Sequence, residues 1–226
     1  MAKLTETATE PRTPLNRERV LAAAVTLADS EGIESLSMRK LAHELGVEAM
    51  SLYNHVTNKQ DILDGVVDFI VNEITTPADG ADWKTAIRHK AMSAREALRR
   101  HPWAAGVIAT RTDMTPTMLK YFDSGIGVLL DGGFSADLAH HAVHALGSRF
   151  FGFTQELFDS EDDSNQEVTP LLIQQMAGEY PNLAEMMTAA IHDDDSIVGL
   201  GCDDQFEFEF ALDLILDGLE RLRDGA

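Results

Sequence analysis

The 226-residue sequence has one cysteine, Cys202, so it cannot form an intrachain disulfide bond. No apolar run approaches the ~20 residues that a membrane-spanning helix needs, and residues 1–20 lack the apolar stretch of an export signal. A single cysteine fits a reducing compartment. We therefore expect a cytoplasmic protein that is not inserted in a membrane and has no disulfide framework.

The sequence motifs of the common enzyme classes are also missing. There is no glycine-rich phosphate loop, no nucleophile elbow, and no cysteine–histidine arrangement around Cys202, which stands in an acidic stretch. Carboxylate pairs such as Asp203–Asp204 lie in runs that are typical of solvated loops. We therefore predict that the chain is not an enzyme.

Positive charge is scarce, with 18 Lys and Arg against 38 Asp and Glu and a formal net charge of -20. The deficit is uneven. Residues 1–60 hold seven basic against eight acidic residues, whereas residues 61–226 hold eleven against thirty, a net of -19. Such a body repels phosphate at long range, while a near-neutral head can approach it. A nucleic-acid site, if present, therefore belongs to the first 60 residues.

No segment alternates apolar and polar residues as a strand does; apolar residues recur instead at helical spacings of three and four. Residues 1–14 contain two prolines and no apolar face, which predicts a flexible arm. We predict an all-α fold. A three-helix helix-turn-helix domain at 15–60 is followed by a larger helical ligand-binding and dimerisation domain at 61–226, and a helix at 58–76 connects the two.

The segment LSMRKLAHELGVEAMSLYNHVTNKQDIL, residues 36–63, has the pattern of a helix-turn-helix. Ser37 caps one short helix, Gly46 provides the turn, Glu48 begins a second helix, and Asn58 caps the next. In such a motif the second short helix enters the major groove of DNA. The residues predicted to contact DNA lie on the outer surface of the two helices: Ser37, Met38, Arg39, Ala49, Met50, Ser51, Tyr53, Asn54, His55 and Lys59.

These residue types fit two kinds of contact. Serine and asparagine hydrogen-bond base edges, and methionine and alanine contact the thymine methyl group. Tyrosine, histidine and lysine bind phosphate oxygens, as does the amino end of a helix. Without such a function, the same pattern would describe a helical hairpin with a polar surface.

The segment resembles the DNA-binding domain of the tetracycline-repressor (TetR/AcrR) family over residues 16–75, above all in the run LYNHVTNK at 52–59. Trp83, His101-Pro102, Gly132-Gly133-Phe134 and LDLILDGLERL at 212–222 are similar in order and spacing to the tetracycline-repressor subclass. The resemblance implies a homodimer that binds a palindromic double-stranded operator. A small effector would release it by moving the connecting helix.

The resemblance also implies that residues 135–157 and 205–222 form the dimer interface, as two helices from each subunit. Candidate contacts on the apolar faces of these segments are His140, Phe206, Phe210, Leu214 and Leu219, although each could equally pack within its own chain. A ligand pocket is expected where aromatic and methionine side chains meet polar ones. The candidates, each of which is otherwise plain core, are His101, Trp103, Ile108, Met114, Met118, Phe122, His144 and Phe151.

Metal binding is not predicted. His140 and His144 share a helix face at i, i+4, but no cysteine or H-E-x-x-H pattern accompanies them. In the tetracycline-repressor subclass a histidine shortly before a threonine-arginine pair helps to hold a metal–tetracycline complex. The matching stretch here is Gly106 to Arg111, with Ile108 at the ligand position, and isoleucine cannot bind a metal. We predict no cofactor.

The sequence thus predicts a ligand-responsive transcriptional repressor whose effector is small and mainly apolar. Two alternatives are left open. One is a DNA-binding architectural or regulatory protein without a ligand, and the other is a helical enzyme.

Overall fold

The computed structural model describes residues 14–77, 80–111, 113–152, 177–189 and 204–225, without the side chains of 150–152, 186–189 and 204. Residues 1–13 of the predicted arm, Cys202 and the side chain of Phe151 lie outside this description. Regular structure in these ranges is entirely helical, which confirms the all-α prediction. Within them, no helix is both long enough and apolar enough to cross a bilayer.

Ten α-helices and one short 3-10 helix (Ile33–Ser35) are described. The α-helices are α1 Arg17–Glu31, α2 Met38–Leu45, α3 Ala49–Leu52, α4 Lys59–Glu73, α5 Trp83–Arg100, α6 Ala104–Ala109, α7 Pro116–Asp131, α8 Ala136–Gly152, α9 Pro181–Ala189 and α10 Asp204–Asp224.

Local capping signals set the ends of the first helices. The side chains of Asn16, Ser37 and Asn58 accept hydrogen bonds, of 2.8, 3.3 and 2.9 Å, from the backbone N–H three residues further on. Gly32 and Gly46 end α1 and α2 with φ of 78° and 64°, which glycine adopts without steric cost. The caps predicted at Ser37 and Asn58 and the turn at Gly46 are confirmed.

The described chain divides into two compact units. The first contains residues up to Thr76 together with Met92–Ser124, and the second contains Pro77–Ala91 together with residues from Gly125 onward. Helix α4 therefore lies in the same unit as α1, α2 and α3.

The core of the first unit draws residues from each of its first four helices. Val20 of α1, Leu41 of α2, Leu52 of α3, and Ile62 and Ile70 of α4 are almost completely buried in one cluster. An isolated helix of four residues has no stability of its own in water. Leu52 therefore holds α3 in place, because burial of its side chain is what fixes the helix against the other three.

In the second unit, α10 packs against α8 and has two apolar faces. The buried face consists of Phe208, Leu212, Leu216 and Leu219, whereas Phe206, Phe210, Leu214 and Leu222 are exposed. The prediction that Leu219 shares a face with Phe206 is wrong. Leu219 lies five positions after Leu214, about 140° further round a helix of 3.6 residues per turn. Leu222, which the sequence analysis missed, completes the exposed face.

Ion pairs connect α5 to α10 within the second unit. Lys84 Nζ lies 2.7 Å from Asp217 and 2.6 Å from Glu220, and Arg88 lies 2.5 Å from Glu209 and 2.9 Å from Asp213. The hydrogen bond from Lys84 lowers the pKa of Asp217. Exposed pairs of this kind contribute little singly, but the four together fix which side of α10 faces α5.

Gly132 supports a test of this packing. A Cβ atom at Gly132 would lie 2.6 Å from Cβ of Trp83, whose ring packs edge-on against Phe134 at 4.7 Å between centroids. We expect Gly132→Ala to lower the free energy of unfolding by about 1–3 kcal/mol, because the buried ring must move to admit a methyl group. Urea unfolding followed by circular dichroism measures this change.

The control for this variant is Gly127→Ala in α7, where a Cβ atom has nothing within 4 Å. Alanine is the better helix former, so we expect this variant to be unchanged or slightly more stable. Equal urea midpoints for the two variants would show that the close approach of Trp83 to Gly132 has no energetic consequence.

Candidate nucleic-acid interface

Helix α3 is anchored by buried side chains and exposes both polar and apolar side chains on its outer surface. Leu52 and Val56 are buried in the core of the first unit, while Met50 is 76% and Tyr53 47% exposed. Tyr53 and Asn54 follow α3 in a turn, and both point away from the core. An exposed Met–Tyr–Asn surface on an anchored helix is the arrangement that base reading requires.

The residues predicted to contact DNA fall into two groups. Ser37, Arg39, Met50, Tyr53, Asn54 and Lys59 are exposed, and Met38, Ala49, Ser51 and His55 are partly buried. Met38 and Ala49 pack against the core of the first unit, so they also support the motif that presents the others. Their contacts with DNA stay a prediction.

The basic residues of the motif differ in what they already bind. Lys40 forms an ion pair with Glu31, and Arg17 forms one of 2.6 Å with Asp61. Among the described residues, Arg39 and Lys59 make no ion pair. Their positive charges are therefore the ones available for phosphate contacts.

Behind the motif, the middle of α4 is bonded at two residues to the segment that joins α6 and α7. Asp64 forms an ion pair of 2.8 Å with Arg111, and Asp68 accepts a hydrogen bond from the hydroxyl of Thr115. Because Ile62 of α4 is buried in the core of the first unit, α4 contacts both the α6–α7 segment and the core that holds α3.

His101 and Trp103 lie at a second junction with the motif. Nδ1 of the buried His101 ring is 2.8 Å from Asp29 of α1, and Nε2 is 3.4 Å from Glu73 of α4. The indole N–H of Trp103 donates to the same Asp29 carboxylate at 2.7 Å. Both residues were candidates for a ligand pocket, but Nδ1 of His101 and the indole N–H of Trp103 are bonded to Asp29, whereas Nε2 of His101 makes no hydrogen bond among the described residues. Asp29 was not among the residues selected from the sequence.

A cleft of about 660 Å³ lies beside α4 in the first unit. It is lined by Gln60, Leu63, Asp64, Thr110, Arg111, Asp113, Met114, Thr115 and Pro116. Of the predicted ligand contacts, Met114 lines this cleft. Ile108, Met118 and Phe122 pack in an apolar cluster against Val67 and share Leu63 with the cleft.

Tyr121, which the sequence analysis did not select, belongs to the same apolar cluster. Burial raises the pKa of its phenol to about 12. His144 is not in this cluster; it is exposed on α8 in the second unit. Its ring lies 4.6 Å from that of His140 between centroids. Among the described residues, no group of three or more His, Cys, Asp or Glu side chains is placed to hold a metal ion.

The fold and these contacts define a class of protein: a helical DNA-binding regulator with a helix-turn-helix motif. Residues 20–66 match the family described as "Bacterial regulatory proteins, tetR family", and residues 76–223 match "Tetracyclin repressor-like, C-terminal domain". The chain belongs to the tetR family of bacterial regulatory proteins. It is a ligand-responsive DNA-binding repressor, as the sequence predicted.

Similar proteins cover almost the whole chain. The HTH-type transcriptional repressor DrrR1 of Streptomyces coeruleorubidus is 30% identical over 94% of this chain and 80% of its own. The class C tetracycline repressor of Escherichia coli is 32% identical over 92% of each chain. Among solved structures, apo ActR of Streptomyces coelicolor superposes with a TM-score of 0.72 at 25% identity, covering 94% of this chain and 98% of that one.

Proposed function

We propose that two copies of this chain bind a palindromic operator through α3 and that a small molecule in the cleft beside α4 releases them. The observation that carries this proposal is the exposure of Met50 on α3 and of Tyr53 and Asn54 in the turn that follows it, while Leu52 of α3 is completely buried. The net charge supports it, because the -19 beyond residue 60 leaves the motif as the part of the chain suited to approach phosphate.

The exposed face of α10 supports a dimer formed through this helix. Phe206, Phe210, Leu214 and Leu222 leave large apolar side chains in water on one helix, and His140 is exposed on the neighbouring α8. A contiguous apolar surface of this kind marks a protein interface. A second copy would bury it around a two-fold axis, and that symmetry sets two recognition helices about 34–36 Å apart for a palindromic site.

The residues that line the cleft indicate which functional groups the effector carries. Asp64, Arg111, Asp113, Thr110, Thr115 and Gln60 supply hydrogen-bonding groups, while Leu63, Met114 and Pro116 supply apolar contacts. We infer an effector with more hydrogen-bonding groups than the mainly apolar compound that the sequence suggested. Relatives have been solved with small molecules: ActR in complex with actinorhodin, and a TetR variant from Acinetobacter baumannii with minocycline.

We infer that the effector acts by competing for the bonds that hold α4. A ligand in the cleft meets Arg111 and Thr115, whose partners Asp64 and Asp68 lie on α4. A change in these bonds moves the helix that supports α3. The coupling is reciprocal: the effector lowers the affinity for operator by the same factor by which operator lowers the affinity for the effector. The coupling free energy is typically about 1–3 kcal/mol.

Selection of DNA duplexes from a random-sequence library tests the operator. We expect the enriched duplexes to be palindromes, and binding of unselected duplex to be weak at low salt because the acidic body repels phosphate. Minocycline and actinorhodin are the first probes for the cleft, by thermal shift and then by release of the selected duplex. Failure to enrich any sequence, or tight unselective binding, would contradict the proposal.

We also propose that the protein works in the cytoplasm, where bacterial operator DNA is found. Its relatives are transcriptional regulators rather than enzymes, and this supports a role without catalysis.

A further inference from the structure

Arg17, the first residue of α1, reaches across to the end of the recognition motif. Its guanidinium donates to the backbone carbonyl of His55 at 3.2 Å and to the carboxylate of Asp61 at 2.6 Å. His55 ends the turn after α3, and Asp61 lies in the first turn of α4. One side chain therefore bonds α1 to both sides of the turn that separates the recognition helix from α4.

Asp61 completes the same arrangement from the other side. Its second carboxylate oxygen accepts hydrogen bonds from the backbone N–H of Thr57 at 2.7 Å and from the Thr57 hydroxyl at 3.2 Å. Its own backbone N–H donates to the side chain of Asn58 at 2.9 Å. The segment from His55 to Asn58 is thus bonded through the backbone of His55 and of Thr57 and through the side chain of Asn58, immediately before Lys59.

We propose that Arg17 and Asp61 are positioning residues for DNA binding: together they hold the α3–α4 turn so that Tyr53, His55 and Lys59 face the duplex. This inference rests on the proposed operator binding. Charge alone would assign the opposite roles, with Arg17 as a phosphate contact and Asp61 as a group that repels DNA. In the structure the two charges are directed at each other and at the backbone of the turn.

The ionisation of Asp61 is consistent with this geometry. The hydrogen bond from Arg17 is the main cause that lowers the pKa of Asp61, and the backbone N–H of Thr57 lowers it further. The carboxylate is therefore charged under the conditions in which the protein binds DNA, and both of its oxygens are engaged.

The experiment compares Arg17→Gln, Asp61→Asn, the double variant and the charge-swapped pair Arg17→Asp with Asp61→Arg. The probe is one duplex selected from a random library by the wild-type protein, and the dissociation constant is measured across a salt series. We expect each single variant to bind about five- to tenfold more weakly, because a charge-assisted bond that fixes the turn is lost. The double variant is expected to be no weaker than either single one, because both remove the same bond.

The salt slope, which is the slope of the logarithm of the binding constant against the logarithm of the salt concentration, distinguishes a positioning residue from a phosphate contact. Each lost phosphate contact lowers the slope by about 1. We expect the slope to be unchanged in Arg17→Gln and in Asp61→Asn, and lowered in Lys59→Ala. The charge-swapped pair is expected to bind no better than the single variants. It restores an ion pair, but a carboxylate at position 17 cannot donate to the carbonyl of His55, and a guanidinium at position 61 cannot accept from the N–H of Thr57. Thermal unfolding of each variant checks that the fold is intact.

Three results would overturn the inference. Tighter binding by Asp61→Asn would show that its carboxylate only repels DNA, and a lowered salt slope in Arg17→Gln would make Arg17 a phosphate contact. Additive losses in the double variant, or full recovery in the swapped pair, would show that the two residues do not act together through their bonds to the turn. If the wild-type protein selects no duplex, the proposed operator binding itself fails, which is a different outcome from any of these.

Discussion

Replacing Asn54 with alanine is expected to relax the preference for one base position in each half-site, at a cost of about 1–3 kcal/mol for the preferred base. Asn54 is exposed beside α3, where its amide can donate to and accept from a single base edge. The affinity for duplexes that carry another base at that position should fall much less. Dissociation constants for the selected duplex and its single-base variants measure the effect. Equal losses of affinity for every duplex would show that Asn54 does not read a base.

Lys59→Ala and Tyr53→Ala are expected to behave differently from Asn54→Ala. Both should weaken binding to all duplexes by similar factors, because phosphate contacts carry no sequence information. Lys59→Ala should also lower the salt slope by about 1. The matched control is Lys120→Ala, since Lys120 is an equally charged, exposed residue on α7. Normal binding by Lys59→Ala at every salt concentration would contradict its role.

Much of the recognition motif could be predicted from the sequence because its signals are local. The capping side chains of Ser37 and Asn58 act on backbone N–H groups three residues away, and Gly46 adopts a conformation that glycine favours by itself. The spacing of buried residues in α2, α3 and α4 follows from helical geometry. These features depend on residues that are close together in the chain, so the local sequence pattern is enough to predict them.

The features that could not be predicted depend on partners distant in sequence. Asp29 bonds His101 and Trp103 more than 70 positions away, and Arg17 bonds Asp61 at a separation of 44. Nothing in the residues around Arg17 distinguishes a phosphate contact from an internal ion pair. The error at Leu219 has a related cause. Helix α10 is apolar on two sides, and only its packing against α8 shows which side is buried.

Leu214→Asp is expected to dissociate the dimer. Leu214 is 54% exposed at the centre of the apolar face that Phe206 and Phe210 begin, with the rings of these two stacked at 6.2 Å. In the proposed dimer each copy contributes this face, so one substitution places two carboxylates in an apolar interface. Burying unpaired charge costs several kcal/mol per group, and we expect the dimer dissociation constant to rise by at least about a thousandfold.

The matched control is Leu119→Asp on α7, because Leu119 is also a leucine that is 54% exposed. Sedimentation equilibrium should find monomer for Leu214→Asp at concentrations where the wild type and Leu119→Asp are dimers. The affinity for operator should fall when the dimer dissociates. A monomer binds only one half-site and so lacks the added affinity of two linked half-site contacts. Circular dichroism separates this effect from unfolding, because the changed side chain lies opposite the buried face of Leu212 and Leu216. A Leu214→Asp protein that stays dimeric, or a Leu119→Asp protein that dissociates, would place the interface elsewhere than on α10.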